Sequence, residues 1–329
     1  MIVLNHEKAI VIGIDGGGTK TRALAVKLDG TIAGTAESGC CNPNKDQHAS
    51  EHVQQAIREV LHAAQAAPED VAAICAGLAG LEAEEDLRWA EQFTSLAGIS
   101  CLKQLVNDAY VAHAGAFCGE PGIMAISGTG SVVFGINEQG RMLRNQDYQH
   151  YAGAARHLAY ECVHRLLAGY GAEEDQGLLR EVLAYWKVNT LEELYERGSK
   201  GFVEGVHEQM RGFGQMGPIV TRAAAEGSPV AIDVCNGLVH ALEVGIRLIG
   251  AGFRAEQVPV AFMGSVIQDR FMTERLTNGL QQGLGHKQYT VVQPRLLPAA
   301  GAALLALKLC ESPIHDDVLQ RLEQYDERA

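Results

Sequence analysis

Residues 11–26 read VIGIDGGGTKTRALAV: an apolar run, an aspartate, three contiguous glycines, two threonines around a lysine, and a second apolar run. Glycine accepts positive φ and lets the backbone approach a ligand without a Cβ in the way, so Gly16, Gly17 and Gly18 suit a turn wrapped around phosphate oxygens. A glycine run between two strands is also the ordinary recipe for a hairpin turn. The two familiar helix-terminus phosphate loops both fail here. A P-loop needs four residues between its first glycine and Gly-Lys-Ser/Thr, whereas these glycines are contiguous and the lysine follows Thr19. The dinucleotide fingerprint opens a helix, but Thr21 to Leu28 alternates as T-R-A-L-A-V-K-L and reads as a strand. The chain is therefore committed to strand, glycine turn, strand.

At residue 122 the same layout restarts: GIMAISGTGSVVFGINEQGRMLRN gives an apolar strand, a Gly/Thr/Ser turn, an alternating strand, a turn at Gly140 and a third short strand. Around these repeats, strands are expected at 9–14, 22–28 and 31–37, a helix at about 49–65, strand and helix pairs through Phe117, and near-continuous helix over 153–251. VPVAFMGSV supplies a later strand, a helix follows at about 269–283, KQYTVV is a strand, and PAAGAALLALKL a closing helix. At 329 residues the chain has room for two cores. Two duplicated α/β domains are expected, at 1–120 and 121–329. The second carries the helical insertion at about 153–251, and the final helix packs back on the first. With no linker between them, they are expected to hinge around a shared cleft.

Composition narrows the ligand. Forty acids against 27 lysines and arginines give a net charge of -13, which disfavours nucleic acid and anionic membrane surfaces. A bound polyphosphate must then be held locally, by amides, a lysine and a cation. No apolar run approaches the ~20 residues of a membrane span, and the start MIVLNHEKAIVIGID lacks signal-peptide order. A cytoplasmic location is expected. The eight cysteines form no C-x-x-C pair and read as free thiols in a reducing compartment.

Two Gly/Thr hairpins, an aspartate closing a strand between them and a late Met-Gly-Ser turn occur together. They sit among IDGGGTKT (14–21), CNPN (41–44), LAG (78–80), NDA (107–109), SGTGS (127–131), MGSV (263–266) and AAGAALLAL (299–307). In these motifs, spread over nearly the whole length, the chain resembles the BadF/BadG/BcrA/BcrD ATPase family, the branch of the actin-like ATPases (sugar kinases, heat-shock chaperones, actin) that includes N-acetylglucosamine kinase. The resemblance implies two actin-like, ribonuclease H-like domains with mixed five-stranded sheets around a nucleotide cleft. It also implies ATP and Mg²⁺ as cofactors, a small sugar-like acceptor and a homodimer.

The residue roles follow the same resemblance. Gly17, Gly18, Thr19 and Lys20 from one hairpin and Gly128, Thr129, Gly130 and Ser131 from the other grip the phosphates, where phosphoryl transfer needs its charge neutralised. Asp15, at a strand end beside the first loop, holds Mg²⁺ through water. Gly264 and Ser265 match the adenosine-contacting turn, while Gly301 fits equally a close approach to ligand or a helix packed through small residues. Asp108 matches the general base, a role open to a carboxylate of ordinary pKa, though aspartate also favours the helix N-cap position. Asn42 matches an asparagine that bonds the sugar and fits an Asn-Pro turn equally. The family also contains activators of 2-hydroxyacyl-CoA dehydratases, which bridge an iron–sulfur cluster with cysteines; Cys118 and Cys162 are the nearest candidates. A nucleotide-binding sensor without transfer chemistry is a third reading.

One segment departs from the family. Where glucosamine-type kinases carry G-W-G-H-x-x-G-D-E-G, this chain has Asp147-Tyr148-Gln149-His150-Tyr151-Ala152-Gly153-Ala154-Ala155-Arg156. His150 and Gly153 persist and Tyr148 replaces the tryptophan, but the acid pair has become Ala154-Ala155. Asp147, Tyr148 and His150 remain candidate acceptor contacts. Losing two carboxylate acceptors would leave sugar hydroxyls unpaired at ~1–3 kcal/mol each, so an acceptor other than N-acetylglucosamine is expected. Arg144 and Arg156 suit an acidic or phosphorylated one, and a solvated loop leading into the first turn of a helix fits the same residues equally.

Overall fold

The computed structural model describes residues 8–282 and 285–325. Residues 1–7, at the chain start read above for a signal sequence, and Gly283, the expected end of a helix, lie outside that range. The chain divides into two compact units, residues 1–120 with 293–329, and residues 121–292.

In the first unit β1 (Ile10–Gly16), β2 (Thr21–Lys27) and β3 (Ile32–Ser38) form an antiparallel meander. Alternation along β1 puts Ile10, Ile12 and Ile14 in one buried cluster and Val11 in another, so this strand needs cover on both faces. Helix α1 (Ala49–Ala63) covers one face with Val53, Ala56, Ile57, Val60 and Leu61 at helical spacing. The chain continues through β4 (Val71–Leu78), parallel to β1, α2 (Leu87–Phe93), β5 (Leu102–Val106), parallel to β4, and α3 (Asp108–Phe117). The strand order is β3-β2-β1-β4-β5.

The second unit opens with another antiparallel meander, β6 (Gly122–Ser127), β7 (Ser131–Ile136) and β8 (Met142–Arg144). Five helices follow: α4 (Ala155–Leu167), α5 (Gln176–Trp186), α6 (Leu191–Ser199), α7 (Val206–Ala225) and α8 (Pro229–Gly250). Then come β9 (Gln257–Met263), α9 (Arg270–Gln282) and β10 (Gln288–Val292). The order β10-β9-β6-β7-β8 repeats the first sheet: a first strand with an antiparallel meander on one side and two parallel strands on the other. Two mixed five-stranded sheets of one design are the α/β architecture expected from the repeated hairpins.

Helix α8 is the most apolar long helix among the described residues. Over 22 residues it has a stretch of mean hydropathy 1.3, long and apolar enough to cross a membrane, which Asp233, Glu243 and Arg247 hide from a search for unbroken apolar runs. Half of that stretch is buried within the second unit, where the helix packs on α4, α7, α9 and β7.

Helices α10 (Pro298–Leu309) and α11 (Asp316–Leu322) belong to the first unit. Nine of the twelve α10 residues are buried, because this helix fills the sheet face opposite α1 and touches both β1 and α3. Its small residues let backbones meet. A Cβ on Gly13 of β1 would stand 2.5 Å from the Ala299 carbonyl oxygen, and one on Gly301 would stand 2.7 Å from Gly115 Cα in α3. Gly301 is thus a helix-packing position.

Candidate active site

The first glycine turn leaves three of its amides without a hydrogen bond among the described residues. Asp15 pairs with Arg22 and Gly16 with Thr21 across β1 and β2, and the Gly17 N–H closes the turn by donating to the Lys20 carbonyl at 2.7 Å. Gly17 is therefore a structural donor, while the N–H groups of Gly18, Thr19 and Lys20 make no hydrogen bond among the described residues. Three successive unbonded amides in a glycine turn are the donor set that an anion site without a helix requires. Lys20 does not reach over it: its ammonium donates to Glu37 Oε1 on β3 at 2.5 Å.

The segment after β3 folds back beneath this turn. Thr21 Oγ1 donates to the Gly39 carbonyl at 2.7 Å, the Cys41 N–H donates to the Gly17 carbonyl at 3.1 Å, and the Ala79 N–H donates to the Gly16 carbonyl at 2.8 Å. Cys41 forms the buried floor, its Sγ 2.7 Å from where a Cβ on Gly16 would be. Burial pushes its thiol up to about 12, and the charges of Asp108 and Asp15 both add to that shift. Asn42 makes the turn its sequence suggested: its Oδ1 accepts the Asn44 N–H at 2.9 Å and its carbonyl accepts the Lys45 and Asp46 N–H groups at 3.0 Å. Its Nδ2 makes no hydrogen bond among the described residues and lies beside Gly80.

Asp108 sits at the first residue of α3, and the N-cap is its neighbour Asn107, whose side chain accepts the Ala109 N–H at 3.0 Å. Asp108 Oδ1 accepts the same N–H at 3.0 Å. Burial raises the Asp108 carboxyl above its usual range; Glu82 pushes the same way, and the Ala109 amide and Lys45 oppose. The expectation of an ordinary pKa is corrected accordingly. Asn107 Nδ2 donates to the Leu81 carbonyl at 3.1 Å, tying the helix start to the LAG turn.

In the second unit Ser127 pairs with Ser131, and the Gly128 N–H donates to the Gly130 carbonyl at 2.9 Å, leaving Thr129 and Gly130 exposed at the tip. Ser131 Oγ is buried with no hydrogen bond among the described residues. The turn after β9 meets this hairpin. Gly264 has φ +99, and a Cβ there would stand 2.5 Å from the Ser127 carbonyl oxygen, which accepts the Val266 and Ile267 N–H groups. Gly128 lies against Ser265.

The departing segment is bonded to the same hairpin. Ser127 Oγ donates to the Gly153 carbonyl at 3.1 Å and the Ala155 N–H to the Gly128 carbonyl at 2.9 Å. Ala154 and Ala155 are buried, and Ala155 packs on Gly217 of α7. The helix start is capped by His157, whose Nδ1 accepts the Ala154 N–H at 3.2 Å. His150 is held by Asn145 Nδ2 at 3.2 Å and packs on Gly245 of α8; buried Asn145 in turn accepts the Val133 N–H at 3.0 Å. Asp147 and Tyr148 are exposed on a single helical turn, with Asp147 4.0 Å from Arg144 Nε. A cavity of about 280 Å³ between α4 and α8 is walled by Tyr151, Gly153, His157 and Leu238, and Asp147, Tyr148 and His150 do not line it.

Two mixed sheets, each with a glycine turn between its first two strands, define the actin-like ATPase class. The particular branch follows from comparison: the signature of the BadF/BadG/BcrA/BcrD ATPase family matches residues 12–306, and the chain belongs to that family. An N-acetyl-D-glucosamine kinase from Dictyostelium discoideum is 25% identical over 323 residues, 91% of this chain and 98% of that protein. An N-acetylmuramic acid/N-acetylglucosamine kinase from Clostridium acetobutylicum is 30% identical over 190 residues, 56% of this chain and 62% of that protein. A crystal structure from Chromobacterium violaceum, provisionally described as an N-acetylglucosamine kinase, shares the fold with TM-score 0.64 at 23% identity, covering 91% of this chain and 99% of that one.

Proposed function

We propose that this family member transfers the γ-phosphoryl group of ATP to a hydroxyl of a sugar or amino-sugar-like acceptor other than N-acetylglucosamine. It is a carbohydrate kinase, like its full-length relatives. The observation that supports the reading is Asp108, a desolvated carboxylate at the start of α3 whose charge, like that of Asp15, acts on Cys41 beside the glycine turn. Asp108 takes the proton of the acceptor hydroxyl, whose oxygen attacks the γ-phosphorus. The bond from that phosphorus to the β,γ-bridging oxygen breaks and ADP leaves. Asn42 Nδ2 donates to the acceptor. The amides of Gly18, Thr19 and Lys20 hold the phosphates, with Gly17 closing their turn.

In the second unit Thr129, Gly130 and Ser131 are assigned to the phosphates, with Gly128 shaping that turn. The orphaned Ser131 hydroxyl supports this, since a buried unpaired hydroxyl costs ~1–3 kcal/mol until a ligand oxygen meets it. Gly264 and Ser265 are assigned to the adenosine. Asp147, Tyr148 and His150 are assigned to the acceptor pocket, whose selectivity the loss of the acid pair changes. Asp15, a carboxylate at the end of β1 beside the glycine turn, suits Mg²⁺, an ion that keeps its waters and binds through phosphate. When bound, that ion neutralises phosphate charge. A reducing cytoplasm suits eight free cysteines, and a homodimer is expected, testable by sedimentation.

The dehydratase-activator reading loses its second cysteine: Cys162 is fully buried in the second unit's core, and burial pushes its thiol to about 12. The test is ADP formation across amino sugars, their acidic derivatives and simple hexoses. We expect turnover with at least one, and a loss of roughly 10²–10⁴-fold in Asp108→Asn with nucleotide binding kept. Full turnover in that variant would remove Asp108 as base; no turnover on any acceptor, with ATP still bound, would favour a nucleotide sensor.

A further inference from the structure

The resemblance implied that Lys20 faces the phosphates, yet the Lys20 ammonium is tied to Glu37, which Arg22 also approaches at 3.4 Å. Another ammonium occupies the tip of the turn. Lys45 Nζ stands 2.9 Å from where a Cβ on Gly18 would be, and the Gly18 N–H makes no hydrogen bond among the described residues. Its reach is set by a built loop rather than by a free tail. The Cys41 N–H fastens that loop to the Gly17 carbonyl at 3.1 Å, and the Asn42 carbonyl and Oδ1 close the turn that presents Lys45. Among the described residues Lys45 Nζ makes no hydrogen bond or ion pair, and its charge acts on Asp108, the proposed base.

In phosphoryl transfer the group in transit lies between the donors that hold the departing diphosphate and the base that receives the hydroxyl proton. Lys45 lies against Gly18 and its charge reaches Asp108, so it touches one end of that arrangement and acts on the other. We propose that Lys45 is a catalytic residue of this site, contacting the γ-phosphoryl oxygens and stabilising the charge they carry as the bond to ADP breaks. This rests on the kinase reading above and adds a residue outside the motifs that carry the family resemblance. A lysine suits this role because a compact point charge on a flexible stem can follow the moving group. It need not abandon a partner to do so, whereas Lys20 would have to leave Glu37.

The test compares the full-length chain with Lys45→Met and Lys45→Arg. Calorimetry measures binding of Mg²⁺ with adenylyl imidodiphosphate and of Mg²⁺ with ADP, followed by steady-state turnover on any accepted sugar. In Lys45→Met we expect triphosphate-analogue affinity to fall about 10-fold or more while ADP changes less than about 2-fold, and kcat to fall roughly 10²–10³-fold. Lys45→Arg should keep kcat within about 10-fold because the charge remains. Thermal midpoints should agree, since the side chain is exposed and unpaired.

An unchanged preference for triphosphate over diphosphate in Lys45→Met overturns the proposal. So does an effect confined to the KM of an acidic acceptor, which would make Lys45 an acceptor contact. Asp108→Asn run in parallel separates the two failures. If wild type turns over, Asp108→Asn does not and Lys45→Met does at full rate, Lys45 is removed and the kinase reading stands. If wild type turns over no sugar, the kinase reading falls, and the triphosphate-to-diphosphate comparison alone decides Lys45.

Discussion

Asp108 is pulled in two directions. Burial, its largest influence, favours the neutral acid and Glu82 adds to that, while the Ala109 amide and Lys45 favour the carboxylate. A general base must be ionised, so kcat/KM should fall as pH drops through a value above the ordinary 3.8, read from the acid limb of the pH profile. Glu82→Gln should move that limb to lower pH and Lys45→Met to higher pH; shifts of the same sign would show that the two charges do not flank Asp108. The same imbalance bears on stability. A carboxyl whose folded pKa exceeds its unfolded value binds more protons folded than unfolded between the two values. Its contribution is therefore full below the unfolded value and lost as pH rises through the folded one. Asp108→Asn, neutral throughout, should melt higher than wild type at pH 7, the gap closing below about pH 4. A lower melting point at pH 7 would contradict the burial argument. The aspartate, the glycine turn and Asn42 were all legible as motifs. Lys45 was not, because a lysine three residues past Asn42 acquires meaning only once the turn folds under Gly18. Nor does adjacency to glycines tell that the Lys20 ammonium meets Glu37, which β3 brings alongside.

At the scale of elements, the base is positioned from behind. Gly77 of β4 seats Val111 of α3, and Gly115 of α3 meets Gly301 of α10 backbone to backbone. Both contacts set where the α3 N-terminus, and hence Asp108, comes to lie. A methyl at Gly301 would stand 2.7 Å from Gly115 Cα, and backbone cannot swing aside as a long side chain can. Gly301→Ala should cost about 1–3 kcal/mol by overpacking, seen as a melting point several degrees lower, and should lower kcat more than nucleotide affinity. An unchanged melting point would mean that the helices separate freely. Here the strands announced themselves: alternation placed β1, β2 and β3 within two residues, since each buries faces of period two. The run from 153 to 251 read only as helical, and its division into five helices was hidden. Pro218, normally a breaker, lies inside α7, and Gly212, Gly214 and Gly217 lie there too. The packing of that helix on α4 outweighs their weak propensity.

For the whole molecule, chain order and structural unit disagree, and the disagreement is testable. The core of residues 121–292 draws every member from within that stretch, whereas residues 9–118 share a cluster with Leu296 to Tyr325. Sequence periodicity finds such helices but carries no sign of which sheet they cover; only the small residues of α10, matched to Gly13 and Gly115, hinted at a close-packed destination. A fragment of residues 121–292 should therefore unfold cooperatively by itself. Residues 1–120 alone should not, because they lose α10, with Leu304, Leu305 and Leu307 buried, and α11, with Leu319 and Leu322 buried. At ~1.5–3 kcal/mol per leucine, that loss rivals the roughly 5–15 kcal/mol stability of a whole domain. The geometry also says how to restore it. The Leu296 N–H donates to the Gly115 carbonyl at 2.9 Å and the Arg295 N–H to the Ala116 carbonyl at 3.3 Å, so the chain leaves the first unit and re-enters it at nearly the same place. Joining Glu120 to Gln293 through a short Gly/Ser linker should give a protein with a cooperative melt and a native near-ultraviolet spectrum. If that joined chain stays unfolded while 121–292 folds, the first unit needs the second to form.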